Sequence, residues 1–252
     1  MSFRYALGKY ITNPEQDLVA FHDDDYVIMK DGYPKALRHY LVLPRNESLT
    51  YKHPVDAMAD SAVYYETEEY VEKTKDMIVA DLVKEGYVED SPIAKEKFRN
   101  TFIRAGVHSV PSMAHLHIHV ITQDFHLERM KNKKHYNSFT TLFFIDFLDL
   151  RPATPTDHLS PDSDADSHSD GLLEGLIMSR PPKEKRARPS RNLDYSSKER
   201  ILRTSPLKCV YCGKTFGNQF KALKEHLAEE FSRKYSASYI SSENHSDSPK
   251  AT

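Results

Sequence analysis

The sequence predicts an α+β fold, an antiparallel sheet with helices, followed by a disordered linker and a small ββα-like module. Three observations support this prediction. Strand-like and helix-like patterns alternate over residues 1–150, the composition turns polar over residues 151–199, and a Cys-x-x-Cys pair opens a short module over residues 200–235. Residues 236–252 are rich in serine, and we expect them to form a disordered tail.

The bulk composition limits the class of protein. With 252 residues, 39% of them hydrophobic and 29% charged, the chain can bury one substantial core but not its whole length. The N-terminus lacks an apolar signal core, and no run approaches the roughly 20 apolar residues of a membrane span. We therefore expect a non-secreted protein with no membrane partner, and its formal charge of -2 names no other partner.

The predicted sheet and its helices come from periodicity in residues 1–150. Apolar residues recur at helical spacing from Val55 to Val83, which predicts a long helix across the sheet. The same spacing predicts a shorter, core-facing helix at Phe3, Leu7, Tyr10 and Ile11. Four segments have strand patterns: Tyr26–Met29, Tyr40–Leu43, Phe102–Gly106 and His115–Thr122.

The predicted linker has an acidic half and then a basic half. Such a segment cannot bury enough apolar surface to offset its chain entropy, so we expect disorder apart from a short helix at Leu172–Met178. The basic run Lys183–Arg191 suits a nuclear import signal or a nucleic-acid tether, and equally a solvated charge run.

The late module carries a candidate metal site. Cys209 and Cys212 stand at the spacing of a zinc knuckle, and His226 follows in the order seen in a ββα zinc finger. A second histidine is missing, but Glu230 lies one helical turn beyond His226 and can supply the fourth ligand. We therefore predict one structural zinc ion per chain, with a redox-active cysteine pair as the alternative.

Three histidines occupy alternate positions of one apolar run. In a strand, His115, His117 and His119 would share one face, and the apolar residues between them would face the core. Such a set can bind a catalytic metal, or can consist of a nucleophile with supporting donors. A third alternative is a group of purely structural histidines.

This run resembles the signature of the histidine-triad nucleotide hydrolases and transferases, His-φ-His-φ-His-φ-φ with φ apolar. The segment Asp31–Pro44 is similar to the first half of the same fold, and residues 106–139 are similar in detail to aprataxins. Aprataxins also carry a zinc finger after the histidine-triad domain. The resemblance covers residues 3–150 and 200–235, and it indicates a short, fungal-type member without the N-terminal forkhead-associated domain of animal aprataxins.

The resemblance implies a DNA repair hydrolase. Aprataxins remove the AMP that abortive ligation leaves on a 5′-phosphate, so we expect a DNA-5′-diphosphate adenosine hydrolase, a DNA deadenylase. A neutral imidazole can attack phosphorus without first losing a proton, so His117 is the expected nucleophile and a covalent His117–AMP the expected intermediate, with no catalytic metal. The expected supporting catalytic residues are His119, His39, His115, Ser112 and, as an acid, His135.

The resemblance also implies binding residues and partners. Asp31 would hold the ribose, although Asp-Gly is also a common turn pair, Lys35 would lie near the phosphate, and Met29 or Leu43 would wall an adenine slot. The expected partners are adenylated nicked or double-stranded DNA ends and RNA–DNA junctions, with AMP as the product. We also expect a monomer with a nuclear and partly cytoplasmic location. The expected DNA-binding residues are His108, Lys131, Lys133, Lys134, Phe3, Tyr5, Lys221 and Lys224.

Two rival functions remain. A histidine-triad hydrolase of small adenosine phosphoramidates or dinucleoside polyphosphates would need neither the finger nor the basic loop. A non-catalytic zinc-finger adaptor that binds nucleic acid would use the finger and leave the histidines inert. Cleavage of adenylated DNA in preference to a free dinucleotide separates both rivals from the aprataxin-like function.

Overall fold

A six-stranded antiparallel sheet forms the centre of the molecule. The computed structural model describes residues 3–152 and 195–235. The strands in chain order are β1 (Val19–His22), β2 (Tyr26–Lys30), β3 (His39–Pro44), β4 (Ile103–His108), β5 (Ile118–Thr122) and β6 (Phe144–Asp146). Their spatial order is β1-β2-β3-β5-β4-β6, so β3 and β5, which are distant in sequence, lie side by side at the centre. The predicted antiparallel sheet with helices is confirmed.

Six α-helices accompany the sheet within residues 3–152. The helix predicted over residues 55–83 is broken, because Asp60 accepts hydrogen bonds from the amides of Ala62 and Val63 and so caps a new helix. The short 3₁₀ turn Phe3–Tyr5 precedes the first helix. The helices are α1 (Gly8–Thr12), α2 (Glu47–Thr50), α3 (Pro54–Ala57), α4 (Ser61–Lys84), α5 (Pro92–Phe102) and α6 (Lys133–Thr140).

The two faces of the sheet are covered differently. On one face, Ile28, Val42 and Val120 pack with the buried residues of α4 and α5. On the other face, Ile11 of α1 and Leu7, which precedes that helix, cover β2 and β3, and α6 covers β5. This second face carries the histidines, because His119 alternates with Ile118 and Val120 along β5.

The histidine run differs from its predicted form. A strand was expected from His115, but β5 begins at Ile118. The amide of Ala114 donates to the carbonyl of Arg4 at 2.8 Å, and that of Leu116 donates to Thr50 at 2.7 Å. Because these amides bond to other segments and not to a neighbouring strand, His115 and His117 lie in a loop, and only His119 is in the strand.

The C-terminal part packs onto the histidine face of the sheet. It consists of α7 (Tyr195–Thr204), β7 (Leu207–Lys208), β8 (Thr215–Gly217) and α8 (Phe220–Tyr235), the order of a ββα finger after one helix. Helix α7 begins inside the segment assigned to the linker. The linker helix at residues 172–178, the basic run 183–191 and the tail 236–252 lie outside the described residues.

The finger shares the core of the preceding domain. Buried Leu223 and Leu227 of α8 belong to one apolar cluster with Ile121 and Phe139. The ring of Tyr235 lies 4.5 Å from that of Phe102, centroid to centroid. The finger is thus part of one packed structure with the sheet, which the sequence did not predict.

Candidate active site and zinc centre

Four histidines meet on the sheet, and we call them the histidine cluster: His39, His108, His117 and His119. Strand pairing places β3 and β4 on either side of β5, so His39 and His108 flank His119. The Nε2 atom of His39 lies 2.9 Å from Nδ1 of His119. The rings of His108 and His117 lie 4.5 and 4.9 Å from that of His119, centroid to centroid.

A glycine makes this close approach possible. Gly106 of β4 pairs with His119, and a Cβ atom added there would lie 2.2 Å from the carbonyl oxygen of Ile145 and 2.6 Å from the ring of Phe144. No larger residue fits this position without moving backbone, so the glycine lets β4, β5 and β6 hold the cluster tightly.

Burial keeps the imidazoles of the cluster neutral. It lowers the pKa of His39 to about 4 and that of His108 to about 3, and it also lowers the pKa of His117 and of His119. The Nδ1 atom of His117 lies 2.7 Å from the carbonyl oxygen of His115. Because a carbonyl only accepts, Nδ1 carries the proton, and Nε2 of His117 has a free lone pair at neutral pH.

His115 stands apart from the cluster. Its ring contacts Tyr51 at 5.1 Å and Tyr5 at 6.2 Å, centroid to centroid, and a Cβ atom at Gly8 would lie 2.9 Å from its Nε2 atom. The expectation of three imidazoles on one strand face is therefore wrong for His115 and His117, because both lie in the loop before β5. Ser112 is exposed in the same loop.

The turn before β3 approaches His39 closely. The amide of Lys35 donates to Nδ1 of His39 at 3.3 Å, and its ammonium donates to the carbonyl of Tyr33. Asp31 accepts a hydrogen bond from the amide of Tyr33 at 2.6 Å, as a turn residue does, and its other oxygen lies 3.6 Å from Nδ1 of His39. Burial lowers the pKa of Lys35. Two of the four residues predicted for nucleotide binding, Asp31 and Lys35, thus border the cluster.

The two residues expected to wall an adenine slot are covered. Met29 is 1% exposed and Leu43 is fully buried, and both lie in one apolar cluster with Leu7 and with Ile11 of α1. They share the histidine face of the sheet, yet they are not open to a ligand in this arrangement. Their nucleotide-binding role stays a prediction.

Sequence reasoning missed two residues of the site. Phe139 of α6 places its ring 5.5 Å from those of His39 and His119 and 4.9 Å from that of His108. Asp124, which is fully buried, accepts hydrogen bonds from the amide of Leu37 at 2.9 and 3.0 Å. The sequence signal for Asp124 is a carboxylate two residues beyond the end of an apolar strand.

The residues expected to contact DNA fall into two groups. Phe3, Tyr5, Lys131 and Lys134 are exposed, and Lys221 is also exposed in an ion pair with Glu225. The other three are partly buried: His108 lies in the cluster, Lys133 donates to Asn218 at 2.6 Å and Lys224 donates to the carbonyl of Leu127 at 2.9 Å.

Two further features lie on the side of α6 and the finger. His135, the expected acid, is half-buried in the first turn of α6, and burial lowers its pKa, with Lys35 as the next cause. A groove of about 530 Å³ runs between the loop before α6 and helix α8, and Lys131, Lys221 and Lys224 are among its lining residues. The side chains of three lysines therefore meet at the junction of sheet domain and finger.

The finger brings together a set of zinc ligands. The ligand atoms of Cys209, Cys212 and His226 all lie within 4.8 Å of one another, and Sγ of Cys212 is 3.2 Å from Nε2 of His226. The amide of Tyr211 donates to Sγ of Cys209 at 3.3 Å, and Gly213 takes a φ of +73°, which lets the chain turn back after the cysteines. Two thiolates and an imidazole suit zinc.

Glu230 lies at the edge of this set. One of its oxygens is 3.9 Å from Nε2 of His226, and the other accepts a hydrogen bond from Arg233. A small change in the Glu230 side chain would therefore place a carboxylate oxygen at the fourth position of a tetrahedral zinc site. Its place as a ligand stays a prediction.

Replacement of Glu230 by histidine is expected to retain zinc, whereas Glu230→Ala should weaken zinc binding at least about tenfold. The reason is that an imidazole can occupy the same corner and a methyl group cannot. Competition with a chelator, read by metal analysis, measures the affinity. Glu229→Ala, which removes the exposed neighbouring carboxylate, is the matched control. Full zinc retention in Glu230→Ala would remove Glu230 from the ligand set.

Within the described residues, no helix has both the length and the apolar character needed to cross a membrane.

Comparisons with known proteins agree with both parts of the chain. Residues 4–135 match the family described as "Scavenger mRNA decapping enzyme C-term binding", and residues 140–233 match the "C2HE / C2H2 / C2HC zinc-binding finger". The aprataxin-like protein of Saccharomyces cerevisiae is 37% identical over 245 residues, which cover 92% of this chain and 97% of that protein. That of Schizosaccharomyces pombe is 31% identical over 235 residues, covering 91% and 82%.

A solved structure has a similar fold over nearly the whole chain. The crystal structure of the aprataxin ortholog Hnt3 in complex with DNA has a TM-score of 0.67 and 29% identity, and the match covers 96% of this chain and 98% of that chain. The fold and the site therefore define a histidine-triad domain joined to a zinc-binding finger. On the strength of these matches over nearly its full length, the chain belongs to the aprataxin family.

Proposed function

We propose that this protein removes AMP from 5′-adenylated DNA ends left by abortive ligation, as a DNA-5′-diphosphate adenosine hydrolase. The observation that carries the proposal is the state of His117, a buried, neutral imidazole whose Nδ1 proton points to the carbonyl of His115. Nε2 is then a nucleophile that needs no base to activate it. The solved complex of the related Hnt3 with DNA supports DNA as the substrate.

The reaction proceeds in two displacements at one phosphorus atom. Nε2 of His117 attacks the adenylate phosphorus, the bond to the DNA 5′-phosphate oxygen breaks, and the DNA leaves with its phosphate. Water then attacks the phosphorus of the covalent His117–AMP, the P–N bond breaks, and AMP leaves. Because the first leaving group is already a phosphate, acid assistance from His135 is a minor contribution.

Donors around the phosphoryl oxygens stabilise the charge that develops there. Nε2 of His119 is buried and has no hydrogen-bond partner among the described residues, so a phosphoryl oxygen can accept from it. We propose further donors in Ser112, His115 and the ammonium of Lys35, and a ribose contact from Asp31. His39 acts through its hydrogen bond to His119. None of these steps requires a metal, and the single zinc ion is structural.

The DNA is expected to lie along the exposed cations at the junction with the finger. Lys131 and Lys221 line the groove there, and Phe3 and Tyr5, exposed by 60% and 49%, offer flat apolar surface to an open base pair. Nicks, double-stranded ends and RNA–DNA junctions all offer a base pair that these two rings can stack on. We propose that one monomer is sufficient for binding.

Neutralising Lys131 and Lys221 together is expected to lower kcat/KM for adenylated DNA, while hydrolysis of a small adenosine phosphoramidate stays unchanged. Each lost phosphate contact reduces counterion release. The slope of log kcat/KM for DNA against log salt concentration should therefore become less steep by about 0.9 per contact. Rates measured across a salt series on both substrates test this. Lys97→Ala, which removes an exposed lysine of α5, is the control.

This comparison also separates the rival functions. A small-nucleotide hydrolase would show the same weak salt response on both substrates, which would contradict the DNA assignment. A non-catalytic adaptor would bind adenylated DNA with steep salt dependence and release no AMP.

Nuclear location is a proposal that rests on the basic run at residues 183–191, outside the described residues. Deletion of these nine positions from a fluorescent fusion is expected to lower nuclear accumulation, because an import signal depends on clustered cationic side chains. Deletion of the acidic stretch 157–165 is the matched control. An unchanged distribution would leave the run as a solvated linker.

A further inference from the structure

A continuous path of hydrogen bonds runs from a backbone amide to the phosphate side of the site. The amide of Lys35 donates to Nδ1 of His39 at 3.3 Å, and Nε2 of His39 lies 2.9 Å from Nδ1 of His119. Nε2 of His119 ends the path without a partner among the described residues. A backbone amide can only donate, so the direction of the first bond is fixed.

The fixed direction decides where both protons sit. If Nδ1 of His39 accepts, the single proton of this neutral ring is on Nε2 and is donated to His119. Nδ1 of His119 is then an acceptor, and the proton of His119 is on Nε2. His119 therefore presents N–H, and not a lone pair, at the end of the path.

The carboxylate of Asp31 favours the opposite placement of these protons. Asp31 has an oxygen 3.6 Å from Nδ1 of His39 and would favour a proton on that nitrogen. A proton there would reverse the path and leave Nε2 of His119 as an acceptor, which a phosphoryl oxygen would repel. The Lys35 amide is nearer, at 3.3 Å, and meets the geometry of a hydrogen bond.

The position of the Lys35 amide depends on Asp124. Both oxygens of Asp124 accept from the amide of Leu37, at 3.0 and 2.9 Å, and one also accepts from the hydroxyl of Thr122 at 2.7 Å. Asp124 is fully buried, so it has no competing water at the surface. It thereby ties the turn that carries Lys35 to the C-terminal end of β5, the strand that contains His119.

We propose that Asp124 is a positioning residue that, through the turn and the Lys35 amide, holds His39 and His119 in the tautomer with Nε2 protonated. The catalytic value of this arrangement rests on the proposed function, because the N–H of His119 then serves the phosphoryl oxygen. The tautomers themselves do not depend on which substrate the enzyme uses.

Long-range ¹⁵N–¹H correlation NMR of the full-length, zinc-loaded protein labelled with ¹⁵N-histidine tests the proposal directly. His39→Gln and His119→Gln spectra assign the resonances. We expect a protonated Nε2 and a non-protonated Nδ1 on both rings at neutral pH. A protonated Nδ1 on either ring in the wild-type protein would overturn the proposal without any variant having to fold.

Asp124→Asn tests the positioning role. An amide in place of the carboxylate sets a donor against the Leu37 amide or the Thr122 hydroxyl, so we expect mixed tautomers and a kcat for AMP release about 10- to 100-fold lower, at unchanged KM. Asp146→Asn, which breaks an ion pair with Arg104 in the same sheet, should leave the tautomers unchanged. Loss of kcat with wild-type histidine spectra would show a structural role only and overturn the proposal.

His39→Gln and His39→Asn together test the direction of the hydrogen bond from His39 to His119. The amide nitrogen of His39→Gln can take the place of Nε2 and donate to His119, whereas that of His39→Asn cannot reach. We expect His39→Gln to retain the higher kcat, and the reverse order would contradict the proposed direction. Absence of AMP release from wild-type protein on every adenylated DNA would refute the proposed function, while the spectra would still decide the tautomers.

Discussion

Replacing His117 by alanine is expected to lower AMP release from adenylated DNA by at least about 10⁴-fold. The side chain is buried in the cluster and carries the free Nε2 lone pair that forms the covalent bond. Among the four imidazoles of the histidine cluster, only that of His117 has its Nδ1 proton bound by a loop carbonyl. Single-turnover assays of AMP release measure the effect, with DNA binding followed by fluorescence anisotropy.

DNA affinity should stay near the wild-type value in this variant, because the exposed lysines and aromatic residues are untouched. His22→Ala, which removes an exposed histidine paired with Glu15, is the matched control and should keep full activity. Residual turnover above about a tenth of the wild-type rate would show that a water attacks directly and that His117 is only a donor.

Replacing Cys209 by serine is expected to abolish zinc binding, unfold the finger and remove activity on DNA and on a small adenylated substrate alike. Structural zinc contributes about 10 kcal/mol or more to the folding of small sites, which serine cannot supply. Cys209 is 3% exposed and packs in one apolar cluster with Tyr136 and Phe139.

Helix α6 carries the effect to the histidines. Tyr136 donates to the carbonyl of Lys208 at 2.6 Å, and Asn137 donates to the carbonyls of Leu202 and Ser205 at 3.0 and 3.1 Å. Phe139, on the same helix, contacts the rings of the cluster. Loss of the finger therefore loosens α6 and the ring that packs against His39 and His119.

Zinc analysis, thermal unfolding and hydrogen exchange along α6 check this expectation. Removal of zinc from the wild-type protein by a chelator, followed by its return, is the control, and activity and exchange protection should recover together. Normal cleavage of the small substrate by a zinc-free, unfolded finger variant would show that the histidine-triad domain is independent.

Local patterns were sufficient to predict much of the fold. Alternation of apolar residues predicted that Leu116, Ile118 and Val120 face the core, and all three lie in one buried cluster. Knuckle spacing and helical spacing predicted the order of Cys209, Cys212 and His226. Each of these features depends on residues close in sequence, which is why a single chain reveals them.

Features that depend on distant contacts could not be predicted. His115 leaves the strand because amides of its loop bond to residues of the N-terminal turn and of α2, which no periodicity records. Asp124 acts on a turn that lies 87 residues away in the chain. Packing of the finger against the sheet gives Lys133 and Lys224 protein partners that no local pattern indicates, and their contact with DNA stays a prediction.

The proposed mechanism depends on a covalent intermediate at His117, which can be trapped. Wild-type protein mixed with 5′-adenylated nicked DNA and quenched in alkali, which preserves a phosphoramidate, should yield one peptide with an added AMP on His117 by mass spectrometry. This adduct should form and decay at rates that match AMP release. AMP found on Lys35 or on another residue, or turnover without any adduct on this time scale, would contradict it.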